Sequence, residues 1–238
     1  MQILLSLQGY KKGMSFMIKL QGVWKEYQID REITFTALKD ITLTIEKGEF
    51  IGVVGPSGCG KSTLMYVMGL LDQPTKGSIH VDEKNVTGLG DDKISALRNA
   101  FFGFVFQQFN LINKLTVLEN ILLPSVYASV KLSYDPLEKA RDLVDKFGLK
   151  GKENSYPNKI SGGQQQRVAI ARALIMHPEC ILADEPTGNL DSKTGESILD
   201  LLSELNREEK ITIVVVTHDA HVAERTRRTI KMVDGQIV

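Results

Sequence analysis

A glycine-rich segment between a buried strand and a helix constrains the fold of this chain more than any other feature. It reads Gly55-Pro-Ser-Gly-Cys-Gly-Lys61-Ser62 and matches the pattern G-x-x-x-x-G-K-[ST]. Residues 50–54 are apolar without alternation, as in a strand covered on both faces, and residues 61–71 read as a helix. Glycines let several backbone N–H groups approach one anion, and the helix N-terminus adds partial positive charge. The segment therefore predicts a loop that binds the phosphates of a nucleotide.

Two side chains of this loop have separate predicted roles. Lys61 places a positive charge beside the β- and γ-phosphates, and Ser62 offers its hydroxyl to Mg²⁺. Because Cys59 lies between glycines near a helix N-terminus, it is also a candidate reactive thiol. The residues expected to contact the nucleotide in this loop are Gly55, Ser57, Gly58, Cys59, Gly60, Lys61, Ser62 and Thr63.

Strands and helices alternate along the rest of the chain. Residues 180–184 form a second buried run after a helical stretch at 161–176, and residues 211–217 form a third after helical residues 195–206. This order predicts an α/β fold with a mostly parallel sheet. Residues 34–45 instead alternate between polar and apolar, the pattern of half-buried strands.

Residues of about 90–155 interrupt this alternation. Three stretches, at 91–99, 116–129 and 136–147, read as helices, and residues 103–107 read as extended. The pattern predicts a mostly helical insertion inside the α/β unit.

Length and charge limit the remaining possibilities. One domain is expected over residues 18–238, after a poorly ordered extension over residues 1–17. Because 29 Lys and Arg balance 29 Asp and Glu, no nucleic-acid partner is expected. No apolar run approaches the roughly 18–20 residues of a membrane-spanning helix. The two cysteines suit a reducing compartment, and the cytoplasm is therefore expected.

Two adjacent carboxylates, Asp184 and Glu185, end the second buried run. A buried strand rarely ends in this way unless the charges have a role. Asp184 is predicted to hold the Mg²⁺ shell and Glu185 to polarise a water molecule. The alternative is an ordinary solvated strand end. The presence of the phosphate loop in the same chain makes this alternative less favoured.

A second glycine-bearing helix start lies at Ser161-Gly162-Gly163-Gln164. Ser161 and Gln164 have the spacing of a capping box, so the simple interpretation is a well-capped helix. The two glycines also leave the helix N-terminus open to an anion. Since the loop at 55–62 already holds the phosphates of one nucleotide, this second anion site is predicted to serve another copy of the chain.

The order of the glycine loop, Ile160-Ser-Gly-Gly-Gln164 and Ile181-Leu-Ala-Asp-Glu-Pro186 resembles the nucleotide-binding subunit of ATP-binding-cassette (ABC) transporters. The resemblance covers residues 18–238 and is greatest to the branch that contains lipoprotein-release and macrolide-export ATPases. It implies a P-loop NTPase core of the RecA-like type, with a mostly parallel sheet, an antiparallel β subdomain and an inserted α-helical subdomain.

The resemblance also implies roles for single residues. Gln107 corresponds to the glutamine that senses metal and attacking water, and His218 to the switch histidine that contacts the γ-phosphate. Asp191 lies in the family's D-loop, and Tyr27 lies where an aromatic ring contacts adenine. Taken singly, each could be an ordinary loop or core residue, but their order favours the functional roles.

Three sets of site residues follow from the resemblance. The implied catalytic residues are Lys61, Gln107, Glu185 and His218. The implied Mg²⁺ ligands are Ser62, Gln107 and Asp184. The residues implied to contact the nucleotide of the other copy are Ser161, Gly162, Gly163, Gln164 and Asp191.

The implied function is ATP hydrolysis by a head-to-tail homodimer that encloses ATP and Mg²⁺ and powers transport through separate integral membrane permease subunits. The permease is expected to dock near Gln107 and residues 101–109, where five of the nine phenylalanines lie and one or two should be exposed. The protein would then be cytoplasmic and peripheral on the inner face of the cell membrane.

Two alternative functions remain open at this stage. An ABC-type ATPase could drive a non-transport process, such as a cell-wall regulator or a soluble assembly factor. A GTPase or small-molecule kinase could use the same glycine loop, but the chain contains no N/T-K-x-D segment that would read guanine, and residues 161–164 would have no role.

Overall fold

The computed structural model of the chain describes residues 16–30 and 33–238. The predicted extension over residues 1–17 lies outside these ranges except for Phe16 and Met17. Both residues belong to the first strand, and the side chain of Met17 is buried. Ordered structure therefore includes two residues that were expected to be poorly ordered, because Met17 packs into the core.

Within the described ranges the strands form two sheets. The smaller sheet is antiparallel with strand order β2-β1-β4-β5, and its strands are β1 (Phe16–Gln28), β2 (Thr34–Glu46), β4 (Lys76–Val81) and β5 (Lys84–Asn85). The larger sheet has the order β10-β9-β3-β8-β7-β6 and is parallel except for β10. Its strands are β3 (Phe50–Val54), β6 (Phe102–Phe106), β7 (Cys180–Asp184), β8 (Thr212–Thr217), β9 (Arg228–Val233) and β10 (Gln236–Ile237). The predicted fold class is confirmed.

Six helices lie where the sequence patterns predict them, with ends that differ by a few residues, and the short helix Ala220–Glu224 was not predicted. The helices are α1 (Lys61–Met68), α2 (Asp91–Phe101), α3 (Val117–Val126), α4 (Pro136–Lys146), α5 (Gly162–Leu174), α6 (Ser192–Glu209) and α7 (Ala220–Glu224). Local chemistry fixes several starts: Thr116 and Glu119 form a capping box before α3, and Asp135 caps α4 with proline at its first position. None of these helices has the length and apolar character needed to cross a bilayer.

The structure differs from the predicted helical insertion at about 90–155 in one respect. Strand β6 lies inside that range, yet it pairs in parallel with β7 as part of the larger sheet, from Phe102 opposite Cys180 to Phe106 opposite Asp184. The predicted range is therefore too wide at its N-terminal end. The extended character of residues 103–107 is visible in the sequence, but a pairing partner so far along the chain is not.

Both faces of the larger sheet are buried. On β8, Val214 and Val216 contact the core that lies toward α1 and the antiparallel sheet, whereas Ile213 and Val215 contact the core formed with α5 and α6. Successive side chains of a strand point to opposite faces, so a continuous apolar run is what a doubly covered strand requires. This burial holds the strand ends, and any loop that follows them, in fixed positions.

Helix α5 packs unusually close to β6 at Gly103. A Cβ atom at Gly103 would lie 2.6 Å from the backbone oxygen of Ala173, near the end of α5. A backbone atom cannot rotate away, so the helix and strand can approach this closely only because position 103 has no side chain.

Replacing Gly103 by alanine is expected to destabilise the protein, because β6 and α5 would have to separate. Overpacking of this kind costs about 1–3 kcal/mol, which lowers the Tm by roughly 3–10 °C in a domain of this size. Differential scanning calorimetry measures the change. Gly90→Ser is the control, since that position is open, has an extended conformation and is the N-cap of α2, where serine is favoured. A Tm for Gly103→Ala as high as that of the control would contradict the prediction.

Candidate nucleotide site

The register of the parallel strands brings four predicted site segments to one edge of the larger sheet. Val54 lies opposite Thr217, Val216 opposite Asp184, and Asp184 opposite Phe106, so these strand ends are level. The residues that follow them are Gly55, His218, Glu185 and Gln107. In parallel α/β sheets, ligands bind beyond the carboxyl ends of the strands. The predicted loop, carboxylate, glutamine and histidine therefore share one edge.

The glycine loop presents an open helix N-terminus. Gly60 precedes α1 in a left-handed conformation (φ 101°), and a Cβ there would lie 2.5 Å from the backbone oxygen of Ala37. Because Gly60 offers no side chain to cap α1, no side-chain bond occupies the first N–H groups of the helix. The ammonium group of Lys61 donates to the carbonyl oxygens of Gly55 and Pro56, both at 2.9 Å. These features suit a phosphate group.

The structure corrects the interpretation of Cys59 as a reactive thiol. Its side chain is only 6% exposed and packs in the core cluster, with its sulfur beside the position that a Cβ on Gly55 would occupy. Modification of a thiol requires access, which this burial denies. Only the backbone of Cys59 is left to contact a ligand. Cys180 is also buried and unpaired.

Asp184 and Ser62 meet at the end of β7. The hydroxyl of Ser62 donates to Asp184 Oδ1 at 3.3 Å. Burial raises the pKa of the Asp184 carboxyl, and the charge of Glu185 raises it further, while the bond from Ser62 and the charge of Lys61 lower it. One carboxylate and one hydroxyl are the hard oxygen ligands that Mg²⁺ takes when phosphates and waters complete its shell. The donor set therefore fits Mg²⁺ bound together with a nucleotide.

Glu185 is held by three hydrogen bonds. Its Oε2 accepts from the hydroxyl of Thr217 at 3.2 Å, and its Oε1 accepts from the backbone N–H of His218 at 3.1 Å. Nδ1 of the His218 ring lies 2.7 Å from the same Oε1. The Glu185 side chain is 15% exposed and that of His218 is 68% exposed. The structure thus joins Glu185 and His218, and Thr217 is a partner that the sequence patterns did not reveal.

Gln107 begins the segment after β6 and adjoins the loop after Glu185. Its carbonyl accepts from the side-chain amide of Asn189 at 2.9 Å, and its own amide packs against Gly188. Phe109 and Asn110, just beyond it, have positive φ, and Arg172 of α5 donates to the carbonyls of both. The predicted metal-sensing glutamine therefore lies in a turn fixed by side chains of two other segments.

Tyr27 is anchored by residues that the sequence analysis did not assign. Its hydroxyl donates to Asp72 Oδ2 at 2.8 Å, and Lys25 donates to Asp72 Oδ1 at 2.5 Å. The ammonium of Lys25 also lies 4.8 Å from the Tyr27 ring centre. Burial and Asp72 raise the pKa of the Tyr27 hydroxyl, and nearby Thr63, in α1 after the glycine loop, lowers it in part. Burial alone would raise the pKa of Asp72, but its bonds from Lys25, Tyr27 and Gln73 outweigh burial and hold that pKa below its usual range.

The start of α5 forms a second cluster. The predicted capping box is confirmed, since Ser161 Oγ accepts from the Gln164 N–H at 3.3 Å and the Ser161 N–H donates to Gln164 Oε1 at 3.0 Å. Asp191 caps α6 by accepting from the Thr194 N–H, and a Cβ on Gly163 would lie 2.4 Å from the methyl group of Thr194. Residues 161–164 and Asp191 are therefore neighbours. Within the described ranges no hydrogen bond joins residues 161–164 to residues 55–63.

An apolar groove of about 600 Å³ opens beside β6, between α2, α3 and the end of α5. Phe102, Phe104 and Phe106 line one side, and Tyr127 and Met176 also contribute. Phe104 and Phe106 stack with ring centres 6.0 Å apart and are partly exposed, as is Phe109, whereas Phe101 and Phe102 are buried. This surface coincides with the phenylalanine-rich segment in which exposed rings were predicted.

The comparisons with known proteins agree with this geometry. The sequence profile of the ABC transporter family matches residues 38–188. The chain belongs to the ABC transporter family. It is an ATP-binding domain of that family and an ATPase, and the alternative of an ABC-type ATPase that drives a non-transport process is not favoured.

Several relatives of this ABC ATPase are close in sequence. An uncharacterized ABC transporter ATP-binding protein of Methanocaldococcus jannaschii, MJ0796, is 48% identical over 224 residues, which cover 93% of this chain and 95% of the relative. A macrolide export ATP-binding/permease protein, MacB, of Bdellovibrio bacteriovorus is 45% identical over 93% of this chain. The matched part is 33% of that MacB, so this chain spans about a third of its length.

Solved structures are also similar to this chain in three dimensions. A dimeric structure of the ATP-binding cassette MJ0796 in a post-hydrolysis state, bound to ADP and Pi, has a TM-score of 0.85 at 46% identity, and the match covers 93% of this chain and 96% of that one. A structure of cbiO1 from Clostridium perfringens, part of the ABC transporter complex cbiONQ, has a TM-score of 0.81 at 28% identity, with coverage of 94% and 87%.

Replacing Asp184 by asparagine is expected to stabilise the nucleotide-free protein while it disables hydrolysis. The raised pKa means that ionised Asp184 costs folding free energy at neutral pH, and a neutral amide removes that cost while it can still accept from Ser62. We expect a Tm about 2 °C higher at pH 7 and a loss of about 10²-fold or more in Mg²⁺-dependent ATPase rate.

The pH dependence checks the cause of this stabilisation. A raised pKa in the folded state favours folding only while the group is protonated, and this advantage is lost as the pH rises through the folded-state pKa. The Tm difference between Asp184→Asn and wild type should therefore shrink as the pH falls and vanish near about pH 3, where the wild-type carboxyl is largely protonated in both states. A variant that melts below wild type at pH 7 would contradict this account.

Proposed function

We propose that two copies of this ABC ATPase bind head to tail and form two composite ATP sites. Each site would take the glycine loop and the carboxylate edge from one chain and the start of α5 from the other. The contributing residues would be 55–63, Gln107, Asp184, Glu185 and His218 of one copy, and 161–164 and Asp191 of its partner. Two observations support this: among the described residues no hydrogen bond joins the two clusters predicted to bind anions, and the cassette MJ0796 is dimeric.

Glu185 is proposed as the general base that draws a proton from the attacking water. The observation that carries this role is its hydrogen bonding: Thr217 and the His218 backbone fix the carboxylate at the strand edge, and the His218 ring lies 2.7 Å away. A positioned general base typically contributes about 10²–10⁴ in rate. His218 is mostly exposed, so its ring is accessible to a terminal phosphate.

Ser62 and Asp184 are the side chains that would hold Mg²⁺, with Gln107 proposed as a further ligand. When bound, the ion would offset negative charge on the phosphates. Lys61 would do the same from the glycine loop, in exchange for its present bonds to Gly55 and Pro56. These residues would position the nucleotide and neutralise its negative charge, and Glu185 would remove the proton from water.

Tyr27 is proposed as the platform for the adenine ring. It stands on β1 beside the first turn of α1, which it contacts through Thr63. Aromatic rings bind nucleobases by stacking, and stacking requires a ring that is held still. The Asp72 and Lys25 anchor supplies that restraint.

The apolar groove beside residues 101–109 is proposed as the docking site for a short helix of a separate membrane permease subunit. Its phenylalanine side chains suit an apolar helix face, and Tyr127 at its rim is strongly exposed. The names of the MacB relatives combine ATP-binding and permease functions in one chain, which supports a permease partner here. Docking of this kind would hold the ATPase on the cytoplasmic face of the membrane, where dimer closure and opening drive transport.

The variant Glu185→Gln is expected to trap an ATP-bound dimer. Loss of the base prevents removal of the γ-phosphoryl group that bridges the two copies, while the nucleotide contacts remain. Gel filtration in Mg-ATP should show a dimer for the variant, and ADP should return it to monomer. Glu196→Gln is the matched control, because Glu196 bonds His221 and Arg225 on the surface. A monomer in every nucleotide would refute the composite site.

The variant Asp72→Asn is expected to raise KM for ATP about 3–10-fold and leave kcat within about twofold. The amide pairs poorly with Lys25 and weakens the restraint on Tyr27, whereas the phosphate loop and Glu185 are untouched. Asp82→Asn is the control, since Asp82 pairs with Lys47 elsewhere on the same sheet. Steady-state ATPase kinetics of both variants measure the effect, and an unchanged KM in Asp72→Asn would exclude the anchoring role.

A further inference from the structure

Gln166 is a buried polar residue one turn inside α5. Its side chain has no exposed surface, and its Nε2 donates to the carbonyl oxygen of Pro186 at 2.6 Å. The other half of the amide, Oε1, is buried without a hydrogen-bond partner among the described residues. Among the described residues, therefore, only the amide donor of this side chain makes a hydrogen bond.

The acceptor of this bond adjoins the proposed general base. Pro186 directly follows Glu185, whose backbone has a positive φ of 47°, a conformation that a residue with a side chain adopts only under constraint. The N–H of Glu185 donates to Val216 at 2.9 Å, and its carbonyl accepts from Gly188 at 3.0 Å. Gln166 fixes the next carbonyl along this turn. Val216 anchors the turn from β8, and Gln166 anchors it from α5.

The unpaired Oε1 indicates that the Nε2 donor of Gln166 has a role of its own. A buried polar atom without a partner opposes folding, and an apolar side chain of similar length would avoid that penalty. The same helix holds the other active-site turn in the same way, since Arg172 donates to the carbonyls of Phe109 and Asn110 beyond Gln107. Side chains of α5 thus bind backbone carbonyls of two segments that the proposed site uses.

We propose that Gln166 is a positioning residue that sets the orientation of Glu185 from helix α5. The inference rests on the proposed function, in which Glu185 is the base and the start of α5 binds the nucleotide of the partner copy. Because Gln166 lies one turn after Gly163, a shift of α5 on nucleotide binding in one site would move Pro186 and hence Glu185 in the other. One buried hydrogen bond therefore links the two ATP sites.

The test compares three variants of the full-length chain by steady-state ATPase kinetics, each measured well below its own Tm. Gln166→Met has a similar length but no donor, and we expect kcat to fall about 10-fold while KM for ATP changes less than twofold. Arg167→Met is the control on the same helix, since it removes bonds to Phe147 and Ser197 instead. Its kcat should stay within about twofold of wild type.

Gln166→Glu gives a readout that a purely structural role would not produce. Only a protonated carboxyl can donate to the Pro186 carbonyl, and burial favours that protonated form. The kcat of this variant, divided by the wild-type value at each pH, should rise as the pH falls from 8 to 6, whereas the ratio for Gln166→Met stays flat. Division by the wild-type rate removes the pH dependence that the variant shares with the wild type.

Two results would overturn the inference while the proposed function stands. They are a normal kcat in Gln166→Met, and a rate ratio for Gln166→Glu that does not change with pH. If Gln166→Met does not fold, the pH profile of Gln166→Glu alone decides the question. Failure of the proposed function looks different, since Glu185→Gln would then form no ATP-bound dimer, whatever residue stands at position 166.

Discussion

The parallel pairing of β3, β8, β7 and β6 is the constraint on which the rest of the structure depends. Their register sets Val54 level with Thr217, and Val216 level with Asp184 and Phe106, so that the four segments that follow emerge side by side. A slip of one residue in any strand would turn its apolar side chains to the opposite face and move its site residue away. The two faces of the sheet pack against different elements, so such a slip would disrupt the packing on both faces.

The site at this edge contains groups that are unfavourable for folding. The pKa of Asp184 is raised mainly by burial, Glu185 has a positive φ, and Lys61 bonds only to carbonyls of its own loop. A metal ion beside Asp184 and a phosphate group beside Lys61 would each balance charge at this edge, whereas the positive φ of Glu185 is maintained by the backbone hydrogen bonds of its turn. Burial of the core sheet thus stabilises a site whose charges are balanced only by bound ligands. This is why replacing Asp184 is expected to raise stability while it lowers activity.

The sequence predicts much of this arrangement because the relevant signals are local. Glycine spacing, the apolar run before Asp184 and the capping box at Ser161 depend on neighbouring residues only, and all three structural elements are confirmed. Long-range contacts are not visible in such patterns. The pairing of β6 with β7 and the bond from Gln166 to Pro186 are of this kind, and the inward orientation of Cys59 depends on how its loop folds over the core.

Complementation between two inactive chains tests most directly the central claim that each ATP is enclosed by two copies. Lys61→Ala disables the loop side of both sites in its homodimer, and Ser161→Arg blocks the helix side of both sites in its own. A mixed dimer would combine both defects in one site and leave the other intact. Co-expression should therefore restore roughly a quarter of the wild-type ATPase rate. If no mixture is more active than the separate variants, neither chain completes the site of its partner, and the composite ATP site is contradicted.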